Sequence, residues 1–314
     1  LNYTKRSRRM ESGRQNVSAD MLQKISHALK KNLVTLSPGT VNLTIEGGRK
    51  LSGTVITNTS KNGAVGLLCA SLLNHGTTTL RKMPRIEEVH RLIEVLTSLG
   101  VKVEWNGSDV TIKRPKKLGF KNIDAAAARR TRSIIMFIGP LLHQLESFSL
   151  PQSGGCKLGS RTVKPHFYAL EHFGTNIKTT EDAYEVYTSQ TSIKKSSGSV
   201  REIILYESGD TVTENALMAA ALSPHETVIK YASANYMVQE VCAFLETCGV
   251  TIEGVGTTTL TVTGVKEINA DIEYTLTEDP TDTMFFLATA IVTKSSITIE
   301  RCPIDFLELE LLKL

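Results

Sequence analysis

The stretch KNGAVGLLCASLLNHGTTTLRKMPRIEEVHRLIEVLTSLGVKVEWNGSDVTI, residues Lys61–Ile112, decides the fold. Its first part, Ala64–Leu73, is apolar on nearly every side, which predicts a helix that is buried all round. A threonine-rich β-run ends near Leu80, and EEVHRLIEVLTSLG then predicts an amphipathic helix that stops at Gly100. Alternating polar and apolar residues in the last part predict strands.

The same design occurs three more times along the chain. Residues 132–179 and 214–262 repeat it, and residues 283–314 begin it again. The β-runs of the four copies end near Leu80, Leu150, Lys230 and Ile299. A spacing of roughly 70 to 80 residues is too long for a solenoid and suits a βαβαββ unit. We therefore predict an α/β protein in which sheets surround a helical centre.

Length and composition bound the class of protein. The chain has 314 residues, more than a single hydrophobic core usually supports, so we expect two or more domains. No window approaches the ~20 uncharged apolar residues that a membrane-spanning helix needs, and the basic N-terminus lacks the apolar run of a signal peptide. We expect a soluble cytoplasmic protein without a membrane partner.

The cysteines are Cys69, Cys156, Cys242, Cys248 and Cys302. Their odd number and the lack of a CxxC pair argue against a disulfide framework or a metal site. Cys69 and Cys242 lie on apolar helix faces, where packing explains them. Cys156 instead lies in the glycine-rich stretch LPQSGGCKLGSRTVKPH, where Lys157 and Arg161 would lower the pKa of a thiol. It is either a reactive thiol or a small apolar residue in a bend.

The N-terminal segment carries the excess of positive charge. Residues 1–36 hold eight Lys and Arg against two acids, a net +6, which leaves the rest of the chain at −2. TKRSRRMESGRQNVSADMLQKISHALKKNL resembles the end of a repressor-like helix-turn-helix, so a partial domain of this kind is expected over residues 1–36. The resemblance implies DNA contacts from Lys5, Arg6, Arg8 and Arg9. The alternative is a solvated basic helix.

Four motifs in order carry a second resemblance. KN before the first apolar helix, TRSIIMFIGPLL, LPQSGGCKLGSR and TENALMAAAL resemble the enolpyruvyl transferase family, in its branch that acts on UDP-N-acetylglucosamine. The chain looks like a divergent member from about Val41 to Leu314. The resemblance implies an inside-out α/β barrel built from βαβαββ repeats, with the active site between two domains. The first domain would cover 59–276, and 41–58 with 277–314 would form part of the second.

The resemblance also implies an activity. The family transfers the enolpyruvyl group of phosphoenolpyruvate to the 3'-hydroxyl of UDP-N-acetylglucosamine and releases phosphate, in the first committed step of peptidoglycan synthesis, without a cofactor. The general base is expected beyond Leu314, so we expect weak binding and little turnover from this chain alone. Two alternatives are 3-phosphoshikimate 1-carboxyvinyltransferase activity, which does not use the cysteine turn, and a DNA-binding regulator with a decayed transferase body as ligand sensor.

Several residues take roles by this resemblance. Lys61 would hold the phosphate and carboxylate of phosphoenolpyruvate, and Asn62 would touch the sugar. A lysine at a helix start opposes the helix dipole, and its structural alternative is a solvated charge. Arg132 would contact the nucleotide-sugar or the transferred phosphate, or else form a salt bridge, as Arg129 and Arg130 could.

The cysteine stretch takes the remaining roles. Cys156 would be the general acid at the methylene carbon of phosphoenolpyruvate, or would capture that substrate covalently. The residues implied to grip the uridine diphosphate are Arg161, Thr162, Val163, Lys164, Pro165 and His166. The family commonly has an aspartate where this chain has Lys164, and His166 could equally be a structural histidine. The third repeat also departs from the family, because Ser208, Gly209 and Asp210 replace a serine-valine-glycine run.

Overall fold

The computed structural model describes residues 35–37, 40–42, 48, 50–152, 162–189 and 200–313. These residues divide into two compact units. One contains the described residues up to Gly53 together with Thr289–Ile297, and the other contains Thr54–Ala288 and Thr298–Leu314. Of the predicted helix-turn-helix segment, residues 1–34, with Lys5, Arg6, Arg8 and Arg9, lie outside the described residues, and Thr35 and Leu36 are extended in a short strand rather than helical.

The described strands and helices follow each other closely along the chain. The strands are β1 (Thr35–Ser37), β2 (Thr40–Asn42), β3 (Ser52–Ile56), β4 (Thr77–Arg81), β5 (Lys102–Asn106), β6 (Asp109–Lys113), β7 (Ser147–Pro151), β8 (Thr175–Thr179), β9 (Ala183–Thr188), β10 (Arg201–Ile204), β11 (Thr227–Lys230), β12 (Thr251–Glu253), β13 (Thr259–Thr263), β14 (Ile272–Thr275) and β15 (Ser296–Glu300). The α-helices are α1 (Lys61–Ala70), α2 (Glu87–Ser98), α3 (Ala125–Ala128), α4 (Ile138–Leu141), α5 (Lys164–Glu171), α6 (Asp210–Ala220), α7 (Tyr236–Thr247), α8 (Pro280–Val292) and α9 (Glu308–Lys313). Short 3-10 helices span Ser71–Leu73, Phe120–Asn122, Ser133–Phe137 and Ile304–Phe306.

Each of the three repeats forms most of one sheet. The strand orders of these sheets are β14-β4-β6-β5, β7-β9-β8 and β10-β11-β13-β12. The hairpin strands pair antiparallel, whereas β14 joins β4 in parallel and β10 joins β11 in parallel. The four predicted β-runs are confirmed as β4, β7, β11 and β15, each ending within one residue of its predicted position. Because Ile272 pairs with Thr78, a strand after the third repeat completes the sheet of the first.

Apolar helices pack at the centre of the second unit. Ala64–Leu73 is buried throughout, as predicted, and Val212–Ala220 of α6 is buried as well. Helix α4 contacts α6, and α7 contacts both α1 and α6. Cys69 and Cys242 are fully buried among these helices, which confirms their packing role. Burial of such apolar helices contributes about 25 cal/mol per Å² of apolar surface removed from water.

The second repeat differs from the single helix predicted over Ile134–Leu142. A 3-10 helix, Ser133–Phe137, is followed by the short α4. The physical cause is the side-chain amide of Asn215, which accepts from Gly139 N at 2.8 Å and donates to Ile135 O at 3.1 Å. In a continuous α-helix these two backbone groups would bond each other, so the inserted amide breaks the ladder.

The outer helices behave as the sequence indicates. Helix α2 buries Val89, Leu92, Val95 and Leu96, and its other residues are half-buried or exposed. Gly100 follows it with a φ of +91°, a conformation that glycine adopts without steric cost. In the first unit, Leu51 N donates to Ser295 Oγ at 2.8 Å. Across the described ranges, no helix combines the length and apolar character needed to span a bilayer.

Candidate functional site

A cavity of about 650 Å³ opens in the second unit where the three repeats meet. Its lining comes from α1, α2, the segment before the 3-10 helix at Ser133, the start of α5 and the start of α6. The main lining residues are Lys61, Asn62, Glu87, Glu88, Arg91, Arg130, Thr131, Arg132, Ser133, His166, Glu207, Ser208, Gly209, Asp210, Thr211 and Glu214. Of the substrate-binding residues expected from the sequence, four lie here: Lys61, Asn62, Arg132 and His166.

Lys61 lies at the N-terminus of α1 and is held by a carboxylate. Ser60 caps the helix by accepting from Gly63 N at 2.9 Å. Lys61 Nζ lies 2.5 Å from Glu88 Oε2, with the lysine side chain 45% exposed. The lysine is therefore an ion-paired group at the cavity rather than a charge solvated on its own, the alternative considered from the sequence.

Glu88 is the residue that positions Lys61, and it was missed from the sequence. Its carboxylate also accepts from Thr131 Oγ1 at 3.1 Å and from Ser133 Oγ at 2.7 Å. Burial raises the pKa of Glu88, but the hydrogen bonds from Lys61 and Ser133 outweigh burial and leave the pKa below its usual value. The sequence signal was a weak one, an acid in the first turn of an amphipathic helix.

Arg132 reaches the same cavity from the second repeat. Its Nη2 donates to the carbonyl of Thr162 at 3.0 Å. The neighbouring arginines form salt bridges, as the structural alternative predicted: Arg129 pairs with Asp182 at 2.7 Å, and Arg130 pairs with Glu87. Carboxylates therefore hold Arg129 and Arg130, and Arg132 donates to a backbone carbonyl at the edge of the cavity.

His166 borders the cavity as a buried, hydrogen-bonded side chain. It is 3% exposed. Asn215 uses Oδ1 to accept from Gly139 N, so its Nδ2 is the donor to His166 Nδ1 at 3.2 Å. The ring must then carry its proton on Nε2, which lies 3.4 Å from Thr211 Oγ1. Burial, and then the charge of Arg132, lower the pKa of His166 to about 3, so the ring is neutral. Both ring nitrogens have hydrogen-bond partners, as in a structural histidine.

Among the described residues of the cysteine stretch, His166 lines this cavity, and Thr162, Val163, Lys164 and Pro165 are outside the lining. Thr162 contacts the cavity only through Arg132, and Val163 precedes α5. Lys164 opens α5 with an exposed side chain, while Pro165 is buried in the first turn of the helix. Cys156 and Arg161 lie outside the described residues.

An acidic wall also lines the cavity and was not assigned from the sequence. It consists of Glu207, Asp210 and Glu214. Asp210 occupies the first turn of α6, where its carboxylate accepts from Ser233 Oγ at 2.6 Å and from Asn235 Nδ2 at 3.4 Å. The negative charge of Asp210 already lies in the first turn of this helix, so a bound anion gains less from the helix dipole there than at α1.

Two buried carboxyl groups flank α1. Glu214 Oε1 lies against Gly66 and Glu240 Oε2 lies against Gly63, and neither oxygen has a hydrogen-bond partner among the described residues. Burial raises the pKa of Glu214 well above its usual value, and burial raises the pKa of Glu240 to about 7. Both carboxyl groups therefore keep their protons at pH values at which exposed carboxyl groups are ionised.

A second cavity of about 540 Å³ shares Lys61 with the first. Asp279 and Asp282 also line it. Asn58 holds the second of these carboxylates, because both its backbone N and its Nδ2 donate to Asp282 Oδ2 at 2.9 Å. Across the described ranges, His, Cys, Asp and Glu form no group of three or more suited to a metal ion.

Comparison with known proteins relates most of the chain to one family. The sequence model of EPSP synthase (3-phosphoshikimate 1-carboxyvinyltransferase) matches residues 45–313. A UDP-N-acetylglucosamine 1-carboxyvinyltransferase of Bradyrhizobium diazoefficiens is 30% identical over 263 residues, covering 84% of this chain and 59% of the relative. The enzyme of the same name from Treponema denticola is 32% identical over 255 residues, covering 81% and 58%. This chain therefore spans less than two thirds of the length of these relatives.

Solved structures show a shared fold at lower identity. The enolpyruvyl transferase NikO from Streptomyces tendae superposes with a TM-score of 0.66 at 18% identity, covering 78% of this chain and 56% of that one. EPSP synthase from Acinetobacter baumannii superposes with a TM-score of 0.59 at 16% identity, covering 82% and 57%. The chain thus shares its fold with these proteins.

Proposed function

The chain belongs to the EPSP synthase family of 1-carboxyvinyltransferases, and from this premise we propose that it transfers the enolpyruvyl group of phosphoenolpyruvate to the 3'-hydroxyl of UDP-N-acetylglucosamine, releasing phosphate. The names of the relatives at 30% and 32% identity support this acceptor over 3-phosphoshikimate. The proposal assigns the chain to the first committed step of peptidoglycan synthesis.

One observation carries the proposal: Lys61 and Arg132, which open helices of different repeats, line the same cavity. Both proposed substrates are anions, and each needs fixed cations and N–H donors. Lys61 stands beside the N-terminal N–H groups of α1, a favourable place for the phosphate and carboxylate of phosphoenolpyruvate. Arg132 offers a planar fork of donors to a phosphate group.

The acidic wall limits where the acceptor's diphosphate can lie. Glu207 and Asp210 would repel a diphosphate at close range. We therefore propose that the diphosphate lies against Arg132 and Arg161, away from these acids. In this arrangement Asn62 contacts the sugar, and Thr162, Val163, Lys164, Pro165 and His166 support the diphosphate side.

Two further groups complete the proposed chemistry. Cys156 protonates the methylene carbon of phosphoenolpyruvate, or captures this substrate covalently. For the base that takes the proton of the sugar hydroxyl, we propose Asp282, a residue inside the chain rather than beyond Leu314. Asp282 lines the cavity that shares Lys61, and two amide donors of Asn58 orient its carboxylate.

The domain plan is also a proposal. We propose that 59–276 forms one inside-out barrel domain, and that 41–58 with 277–314 belongs to a second. Helix α8 exposes apolar side chains, such as Phe285 at 66% and Val292 at 78%. Exposed apolar side chains of this kind support the proposal that α8 packs into the core of the second domain. Residues 1–36 would be the partial helix-turn-helix.

The test is phosphate release from phosphoenolpyruvate that depends on UDP-N-acetylglucosamine, measured on the full chain. Lys61→Met and Arg132→Met each remove a cation that stabilises negative charge in the transition state, so we expect kcat/KM to fall roughly 10²- to 10³-fold. Cys156→Ala and treatment with fosfomycin should abolish turnover, and Asp282→Asn should lower kcat. Lys102→Met, on exposed β5 away from both cavities, is the matched control and should leave the rate unchanged.

The outcomes separate the candidate functions. Turnover indifferent to Cys156→Ala and fosfomycin would remove the thiol from the mechanism. Turnover with 3-phosphoshikimate instead of the UDP-sugar would select the alternative transferase. No phosphate release in any sample, with salt-sensitive DNA binding by the full chain, would select the DNA-binding regulator.

A further inference from the structure

A third cavity, of about 920 Å³, lies at the far end of the central helices from Lys61. Leu73 ends the 3-10 extension of α1, and residues 143–145 follow α4. Residues 222–224 follow α6, and residues 264–268 close the remaining side. This cavity shares no lining residue with the two cavities described above.

The charges around this cavity are mostly positive. Arg114, Lys116, Lys117 and Lys266 line it, against Glu267 as the single carboxylate of the described lining. The three lysines are exposed, so they surround the mouth, whereas the arginine lies inside. Clustered cations around a concavity attract an anion more strongly than the same charges on a flat surface.

Arg114 is buried, no carboxylate of the described residues forms a salt bridge with it, and this is the independent sign of a ligand. The residue is 7% exposed. Its Nη1 donates to Leu72 O at 2.7 Å and to Gln144 Oε1, which are both neutral acceptors. Its Nε has no hydrogen-bond partner within the described chain. A guanidinium taken out of water is stabilised chiefly by an anion, and neutral acceptors leave most of its desolvation cost uncompensated.

Two histidines line the cavity, and the pKa of each is lowered. Burial and then the charge of Arg114 lower the pKa of His75. Burial lowers the pKa of His143 to about 4, and Arg201 contributes in the same direction. Both rings are therefore neutral near pH 7 and add no charge to the cavity. Nε2 of His143 donates to the carbonyl of Ala219 at 2.7 Å.

The floor of the cavity is apolar. It is formed by Leu73, Leu118, Leu145, Leu222, Pro224 and Val265. A bare inorganic ion would leave this surface in contact with water, while an organic body would cover it. The described lining carries four cations and one carboxylate. This excess of positive charge suits a ligand with a doubly charged head group better than a ligand with a singly charged one.

We propose that this cavity binds an organic phosphate monoester, with its dianionic phosphate among Arg114 and the three lysines and its apolar body on the leucine floor. The site is separate from the proposed transferase site and does not depend on that function. The competing explanation is that Arg114 only caps the carbonyl of Leu72 at the end of a helix, with the lysines simply solvated.

The probe is 1-naphthyl phosphate, titrated calorimetrically into the full chain carrying Lys61→Met and Arg132→Met to weaken the first cavity. Lys116→Ser, Lys117→Ser and Lys266→Ser together should weaken binding roughly tenfold or more, which corresponds to about 1.4 kcal/mol. The matched control removes three exposed lysines outside the cavity, Lys102, Lys113 and Lys121, and should change affinity less than about twofold.

Two further readings complete the test. Inorganic phosphate should bind more weakly than 1-naphthyl phosphate, and hydrogen exchange should slow at residues 113–118 and 264–268 on ligand binding. Equal weakening by both triple variants, protection confined to the first cavity, or no binding of 1-naphthyl phosphate would each overturn the proposal. The test uses the lysine variants because Arg114→Met would also remove the hydrogen bond to Leu72 O at the end of a helix.

Discussion

At the scale of single residues, Glu240 is a buried carboxyl group that couples folding to pH. Its Oε1 accepts from Thr277 N at 2.7 Å, and its other oxygen lies against Gly63. Burial raises its pKa to about 7 from an ordinary 4.5. The folded chain therefore holds this proton over a range where the unfolded chain has lost it, so this contribution to stability is full at low pH and declines as pH rises through about 7.

We predict that Glu240→Gln flattens this dependence. Glutamine keeps the shape of the protonated acid and can still accept from Thr277 N, but it has no proton to lose. Above pH 7 the variant should be more stable than the wild type by on the order of 2–3 kcal/mol, and the difference should shrink toward pH 5. The measurement is the free energy of urea unfolding at pH 5, 6, 7 and 8.

Glu104→Gln is the matched control, because that glutamate is exposed on β5. It should leave the slope against pH as in the wild type. Parallel slopes for wild type and Glu240→Gln would show that this carboxyl is already ionised in the folded state at pH 5. Glu214, whose pKa burial also raises, accounts for the slope expected to remain in Glu240→Gln.

At the scale of elements, the close contact between α4 and α6 depends on Gly139. A Cβ there would lie 2.3 Å from the backbone oxygen of Asn215, which cannot move without shifting α6. Gly139→Ala should therefore lower the free energy of unfolding by about 3 kcal/mol or more, and displace the amide that bridges Ile135 and Gly139. Urea denaturation measures the loss.

Gly119→Ala is the control for this prediction. Its Cβ would lie 3.8 Å from the nearest atom, Leu99 O, and its φ of −100° suits any residue. We expect a change within about 1 kcal/mol. Similar losses at both glycines would mean that α4 and α6 do not pack as closely as described.

The elements also show where sequence patterns are sufficient and where they fail. Helix α2 and the β-runs are encoded by the spacing of apolar residues that are close in sequence, so this spacing predicted them. The break before α4 depends on an amide 76 positions further along the chain, which no local pattern contains. At the site, Lys61 and Arg132 carried motif signals, whereas Glu88 and Glu240 matter only through contacts made after folding.

At the scale of the whole molecule, β14 ties the end of the third repeat to the start of the first. Ile272 is buried in β14 and pairs with Thr78 of β4. Ile272→Ala should lower the free energy of unfolding by about 2–4 kcal/mol. Because the loss loosens one edge of one sheet, amide exchange should accelerate more in β4 than in β9 of the second sheet.

Native-state hydrogen exchange with mass spectrometry measures this difference between sheets. Val103→Ala, half-buried on β5 at the other edge of the same sheet, is the control, and it should affect β4 less. Equal acceleration in β4 and β9 after Ile272→Ala would indicate that the sheets open only together, by global unfolding.

The pairing of β14 with β4 also has a consequence for synthesis on the ribosome. Thr77 N donates to Asp271 Oδ1, a partner made 194 residues later. At translation rates of about 5–20 residues per second, the edge of β4 waits roughly 10–40 s for that partner. During this time the nascent chain presents an unpaired edge that other chains can join. Slow translation of residues 82–270 should therefore favour aggregation of the nascent protein even though the finished fold covers that edge.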